Sequence, residues 1–523
     1  MSATTDLSKS LAEGLRAAGV TAIFGMPGGG PNLDMIGAAA ECGIDFILAH
    51  SETAACMMAS SHGRLTGTVG VAIVTRGPGL TSAINGLAQA TLDRFPLVLI
   101  SDTVSSAQSP RIAHQRLDQV ATAAPVTKWS GILGAGDPAG VVAGAVALAC
   151  AAPQGAVHLA FDPTQAGDAA PTLPPRAHSA EAELTAARTL VAAARRPVVI
   201  VGLDAVADTG VVRAALLATD APLLVTYEAK GVIPETWPSF AGSFTGVAAD
   251  RRLLEQADLI IGIGLDSVEP MPGEWPYAAE VLLLHSYPVE TAYFGDPTLV
   301  VGDYSALLAD VLPGLQGQWP AEARAFSLAE GLIALESESP LRPQDVVSLA
   351  NEAYPGAVAT VDAGAHMLVA MALWPSDEPR TVLISNGLAT MGFALPAAIA
   401  AAIACPDRKV ICFVGDGGLG MVLAELELVA RRNLDLTVIV FNDATLTLIQ
   451  LKQGNTMQGD ATTVGYSSTD FAAIAAGMGL GSQVARSTAE FRGALAASES
   501  RPFLIDARVD AKDYQGIMRL ARG

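Results

Sequence analysis

The stretch KVICFVGDGGLGMVLAELELVARRNLDLTVIVFNDA, Lys409–Ala444, decides the fold. Val410–Val414 is an unbroken apolar run, as in a strand buried on both faces of a parallel sheet. GDGG follows at Gly415–Gly418, then an expected helix over Met421–Arg432, then a second apolar strand, Leu436–Phe441, closing on Asn442, Asp443 and Ala444. A right-handed crossover sets the two strand tips side by side at the carboxyl edge of the sheet, about 4.8 Å apart. Glycines there let backbone N–H groups approach a phosphate, and a helix N-terminus adds a favourable dipole. Asp416 would repel that phosphate unless a cation lay between them, and hard oxygen ligands beside phosphate suit magnesium. Asp416 and the Asn442–Asp443 pair are placed to share one cation. An ordinary turn in a doubly wound domain is the other reading of GDGG alone.

Outward from this stretch the same alternation of apolar strands and Ala-rich helices fills the chain. The expected fold class is α/β, with three doubly wound parallel-sheet domains over residues 1–165, 180–315 and 340–523. Strands are expected at TAIFG, FILAH, VGVAIVT, LVLIS and AVHLAF in the first domain. PVVIVG, PLLVTY, LIIGIG, VLLLHS and LVVG mark the second, and AVATVDAG, TVLISN, KVICFVGDGG, LTVIVFND and PFLIDARV the third. DPTQAGDAAPTLPPRAHS, Asp162–Ser179, reads as a linker, and the charged stretch to about Leu341 as another connector. VAIVTRGPGLTSAINGLAQA in the first domain loosely echoes VICFVGDGGLGMVLAELELVA in the third.

At 523 residues the chain exceeds a single core, and its net charge of −21 argues against nucleic acid or anionic lipid as a partner. Five scattered cysteines with no CxxC pair indicate neither a disulfide framework nor a zinc site and fit a cytoplasmic location. The first residues carry Asp6 and Glu13 and do not read as a signal peptide. Gly387–Cys405 is uncharged, but its Ala and Gly content and Pro396 point to a buried helix rather than a membrane span.

A GDG followed 27 positions after Asp416 by Asp443 resembles the thiamine diphosphate signature. Essentially the whole chain resembles the superfamily of acetolactate synthase, pyruvate oxidase and the 2-oxoacid decarboxylases, with pyrimidine-binding, central and diphosphate-binding domains in that order. The resemblance implies Mg2+ held by Asp416, Asp443 and the backbone carbonyl of Thr445, although the second ligand is more often Asn in that superfamily. It implies cofactor contacts at Gly415, Asp416, Gly417 and Gly418, and along Asp443, Thr445, Leu446, Thr447 and Leu448. VDAGAH adds Gly364, Ala365 and His366 at the diphosphate; TMGFALPAA adds the Ala389 carbonyl and Met391 beneath the rings. HSETAA places Glu52 as the activating glutamate, which reaches the cofactor's pyrimidine from another subunit, so a homodimer or homotetramer is implied. Read without the resemblance, Glu52 is a solvated helix-start carboxylate and Met391 a core side chain.

The chemistry implied is attack on a 2-oxo acid, loss of carbon dioxide and transfer to a proton or to a second carbonyl acceptor. Decarboxylases of the superfamily carry acids at the positions of Gly29 and near Ile449, where this chain has MPGGG and LTLIQ. Without those proton donors carboligation of the acetolactate synthase kind is expected, with His114 and Gln115 facing the substrate, although His114 stands where such enzymes have an aromatic. His50 and His114 have a structural reading as well, and Arg76 either meets a substrate carboxylate or pairs with an acid. The alternatives are a 2-oxoacid decarboxylase, a 2-hydroxyacyl or oxalyl thioester lyase and, from another class, a non-catalytic regulator that keeps the fold. FAD is possible in the central domain by resemblance, but IVGLDA is not a dinucleotide fingerprint.

Overall fold

The computed structural model describes residues 3–246, 248–271, 273–320, 328–453, 461–499 and 501–522. It holds three six-stranded sheets in which every paired strand is parallel. Their strands run from Ala22–Met26 to Ala156–Ala166, from Pro197–Val201 to Thr298–Val301, and from Val358–Val361 to Phe503–Arg508. Numbered in chain order within each sheet, the first and third share the arrangement 2-1-3-4-6-5, whereas the central one is 6-5-4-1-2-3. The echo between the first and third domains is therefore topological. Gly70–Val74 and Val410–Gly415 are each the third strand of their sheet, and each is followed by a helix whose first residues include glycine.

The expected helix in Gly387–Cys405 spans Ala394–Ala404, and its start has a physical cause. The buried carboxylate of Asp362 accepts the N–H groups of Gly392 (2.9 Å), Phe393 (2.9 Å) and Ala394 (3.4 Å), which satisfies the orphan donors of the first turn. Alanines along this helix admit close approach of the helix Glu52–Thr66, and one apolar cluster runs from Ala54–Ala59 through Leu395–Ala402. The first and third domains thus share a core. Among the described residues no helix is long and apolar enough to cross a membrane.

Several boundaries differ from the sequence reading. The helix expected over Met421–Arg432 begins at Asp416 and runs in three pieces, Asp416–Val422, a 3-10 turn Leu423–Glu425 and Leu426–Arg431. The glycine motif is therefore the first helical turn. The strand Ala156–Ala166 extends into the expected linker, where it pairs with Trp129–Ala135 as far as Ala135 opposite Ala166, and Asp162 accepts from the Ser106 N–H (2.8 Å), the Thr164 N–H (2.9 Å) and the Thr164 hydroxyl (2.7 Å). Each sheet also has a sixth strand that was not expected: Trp129–Ala135, Phe240–Ser243 and Gly481–Ala485. The connector before Leu341 holds a short helix, Leu328–Ala334, and its residues 321–327 lie outside the described residues.

Candidate active site

The tips of the third sheet bring Asp416 and Asp443 together. Asp416 opens the helix after its strand; its Oδ1 accepts the Gly417 N–H at 2.6 Å and its Oδ2 the Ala444 N–H at 2.7 Å. Asp443 Oδ1 accepts the Thr445 N–H (3.1 Å), and the Thr447 hydroxyl donates to Oδ2 (2.5 Å). Asn442 turns away and donates to Asp506 Oδ1 (2.9 Å) and the Thr469 carbonyl (3.0 Å), so Asp443 is the partner of Asp416. Burial pushes both carboxyls up, Asp443 to about 7, with the neighbouring Asp416 charge adding to its shift. Two desolvated acids side by side are a site a divalent cation would relieve. Among the described residues no cluster of three or more His, Cys, Asp or Glu side chains could hold a metal, so such a cation would need further ligands from backbone carbonyl, phosphate or water oxygens.

These carboxylates open into a cavity of about 740 Å³. Gly364, Ala365, His366, Ala389, Met391, Gly415, Asp416, Gly417, Gly418, Asp443, Thr445, Leu446, Thr447 and Leu448 all line it. Glycine is required at Gly418, where a Cβ would stand 2.0 Å from the fixed Asp362 Oδ2; at Gly417 a Cβ would stand 2.9 Å from Leu446 Cδ2 and 3.3 Å from Met391 Cε, leaving little room. His366 is 4% exposed, stacks on Phe441 with centroids 5.2 Å apart, and has a buried Nε2 without a partner. Burial lowers its pKa to about 4, so the ring is neutral and its orphaned nitrogen is free to serve a bound group. The loop turns sharply on either side of Met391, with Ala389 at φ +54° and Gly392 at φ +79°. A bare glycine floor, an orphaned buried imidazole nitrogen and paired carboxylates fit a metal-bound diphosphate.

Glu52 does not line this cavity in its own chain. It opens the helix Glu52–Thr66, capped by Ser51, whose Oγ accepts the Ala54 N–H at 3.1 Å. Its Oε1 lies 3.5 Å from the Cβ position of Gly79, while Gln115 packs on the Cβ position of Gly77 at 3.0 Å. Glu52 and Gln115 thus flank one turn at the carboxyl edge of the first sheet. His114 is exposed beside them. His50 meets Glu427 at 2.8 Å, the Arg76 guanidinium donates to the Thr103 carbonyl, and the backbone N–H of Arg76 donates to Asp102 Oδ1. Glu52 and Gln115 therefore do not meet the paired carboxylates in a cavity of their own chain.

Sequence reasoning missed Asp362, which sits inside VDAGAH but has no motif of its own, and missed the central domain's share of the cavity. Ser267–Met271 and Tyr293 line it, with Asn386 donating to the Glu269 carbonyl at 2.9 Å. In the central sheet the strand order reverses between Pro197–Val201 and Leu259–Ile263, the place where a dinucleotide-type fold binds its ligand. There the buried Glu269 carboxylate accepts the Leu203 N–H (3.0 and 3.1 Å), the Asp266 N–H (3.0 Å) and the Thr226 hydroxyl (2.5 Å). A buried carboxyl group thus occupies the amides of Leu203 and Asp266 at this switch point. The residues present do not fit a flavin or another dinucleotide in this crevice.

Three family models match the chain. They are the thiamine pyrophosphate enzyme N-terminal TPP binding domain over residues 5–122, the central domain over 184–310 and the C-terminal TPP binding domain over 362–507. The chain belongs to the thiamine pyrophosphate enzyme family. Among curated relatives, it is similar to the acetolactate synthase of Bacillus subtilis, at 30% identity over 466 residues, 83% of this chain and 81% of that one. A catabolic acetolactate synthase of Raoultella terrigena is 32% identical over 473 residues, 84% and 83% of the two chains. The large subunit of acetolactate synthase isozyme 1 of Escherichia coli is 29% identical over 530 residues, 95% and 93%.

Proposed function

We propose that the chain is a thiamine diphosphate- and Mg2+-dependent carboligase that joins a decarboxylated 2-oxo acid, such as pyruvate, to a second carbonyl compound. The cavity carries this reading: paired carboxylates beside a glycine floor, opening on an apolar wall of Met391, Leu446, Leu448 and Ile449. When bound, thiamine diphosphate supplies a carbon nucleophile for the 2-oxo acid and a sink for the electrons released with carbon dioxide. Asp416, Asp443 and the Thr445 carbonyl hold the cation, and the amides of Gly415–Gly418 with His366 Nε2 take the diphosphate oxygens. The Ala389 carbonyl accepts from the amino group of the pyrimidine, and Met391 supplies apolar contact beneath the rings. Glu52 holds a proton at the pyrimidine N1′. Because Glu52 stands outside the cavity of its own chain, it serves the cavity of a partner subunit, and a homodimer is the smallest active unit, with a homotetramer compatible.

The apolar wall decides the outcome of the reaction. With no acid at Gly29 or Ile449 to deliver a proton, a second carbonyl has time to react. The Glu269 carboxyl takes the switch-point amides of Leu203 and Asp266, which argues against a nucleotide-bearing thioester bound there. All five cysteines are free, which fits a reducing cytoplasm. Incubating the protein with thiamine diphosphate, Mg2+ and pyruvate tests the proposal by mass spectrometry. An acetolactate-type or acyloin product is expected; acetaldehyde as the sole product would make the chain a decarboxylase.

A further inference from the structure

Glu425 is an acid that the proposed chemistry leaves unused, and it is 1% exposed. It lies in the 3-10 turn Leu423–Glu425, on the helical segment that begins at Asp416. Its partners belong to the first domain. Oε1 and Oε2 accept the His50 N–H at 3.0 and 3.2 Å, and Oε1 also accepts the Ser51 N–H at 3.1 Å. The next residue is Glu52. Ser51 is the N-cap of the helix that Glu52 opens, so these two amides are the last backbone groups fixed before the Glu52 side chain departs. Glu427, Arg431 and Arg432 add surface contacts to His50, Leu48 and Asp45, but only Glu425 makes its contacts in a buried setting. A buried carboxylate holding two backbone N–H groups is a stiff joint, since removing it leaves both donors without partners.

We propose that Glu425 is a positioning residue for Glu52: it fixes the strand-to-helix turn from which Glu52 projects, and so ties the activating carboxyl of one site to the metal-bearing helix of the other. The inference rests on the role given to Glu52 above. In a dimer, Asp416 at the head of this helical segment serves its own cavity, while Glu425 at its far end sets the residue offered to the partner's cavity. Each chain thereby carries a short mechanical link between two active sites. Its length is the span from Asp416 to Glu425.

The test compares Glu425→Ala, Glu425→Gln and Glu52→Gln, singly and combined, in the full-length protein. Amide hydrogen exchange at His50 and Ser51, read by mass spectrometry, is expected to accelerate in Glu425→Ala while calorimetric affinity for thiamine diphosphate with Mg2+ stays within about threefold. Turnover is expected to fall on the order of tenfold to a hundredfold, the cost of misplacing a catalytic group by a fraction of an ångström to an ångström. Glu425→Gln keeps one acceptor oxygen and should fall between that variant and wild type. In the Glu52→Gln background, Glu425→Ala should add almost nothing to the loss, because it acts through Glu52. Multiplicative losses in the double variant, or full turnover in Glu425→Ala beside a crippled Glu52→Gln, would overturn the inference alone. Wild-type turnover in Glu52→Gln would remove the reading beneath it as well.

Discussion

Asp416 Oδ2 accepts the backbone N–H of Ala444 at 2.7 Å, which binds the two strand tips of the third sheet into one unit. Ala444 sits at φ +56°, so the chain doubles back immediately after Asp443 and presents that carboxylate beside Asp416. Replacing Asp443 separates its two contributions, an oxygen ligand and a charge. Asp443→Asn keeps the oxygen, and its affinity for thiamine diphosphate in Mg2+ is expected to stay within a few-fold of wild type. Asp443→Ala loses the ligand and should weaken binding by at least about tenfold, or about 1.4 kcal/mol. Titration calorimetry on both variants checks this.

His366 offers a neutral imidazole whose Nε2 has no protein partner. A hydrogen bond to a charged phosphate is worth about 1.5–3 kcal/mol. His366→Phe, which keeps a ring against Phe441 but removes the nitrogen, should therefore lower cofactor affinity by about tenfold or more. Unchanged affinity would place the diphosphate elsewhere.

Gly418 has no room for a methyl group, since its Cβ would meet Asp362 Oδ2 at 2.0 Å. Asp362 cannot retreat without releasing the N–H groups of Gly392 and Phe393, and with them the helix start at Ala394. Gly418→Ala is expected to cost several kcal/mol, the scale of a strained or overpacked buried site. A calorimetric melt or loss of soluble protein reads the effect; a wild-type melt would contradict it.

Glu269 should leave two traces. Added FAD is expected not to bind wild-type protein, and the protein purified from cells should show no flavin absorption. The second trace is pH dependence. Burial pushes the Glu269 carboxyl up to about 8 from its ordinary 4.5, the hydrogen bonds from Thr226 and Leu203 opposing the shift. A carboxyl raised in the folded state contributes stability that is complete below the unfolded value and lost as pH rises through the folded one. Between pH 7.5 and 8.5 the buried His62, His158, His285 and His366, all lowered by burial, are mostly neutral in both states and contribute little slope. Thermal stability of wild type should thus fall as pH rises across that window, and Glu269→Gln, which cannot titrate, should fall less steeply. Identical slopes would show that Glu269 does not titrate there.

The strands that the sequence failed to announce share one trait. Trp129–Ala135, Phe240–Ser243 and Gly481–Ala485 are each the last strand at an edge of their sheet, half-buried and written with Ser, Gly, Gln or Trp instead of an apolar run. The interior strands face apolar neighbours on both sides and spell that out locally. The same division holds in the site. Gly415–Gly418 are legible because the need for bare backbone is met within four residues. Glu269 and Glu425 work through partners 66 and 374 to 375 residues away, and no local pattern marks a carboxylate that caps a distant amide. Asp362 stood inside a recognised segment, yet its work is to hold Gly392 and Phe393, a contact only the fold creates.

The decisive measurement is calorimetric titration of thiamine diphosphate into the purified protein with Mg2+ present, with the metal chelated, and with Asp416→Ala in place of wild type. Saturable binding near one cofactor per chain in the first case, and its loss in the other two, is the expected result. Equal binding in all three, or no binding to wild type with Mg2+, would mean that Asp416 and Asp443 do not anchor a metal-bound diphosphate.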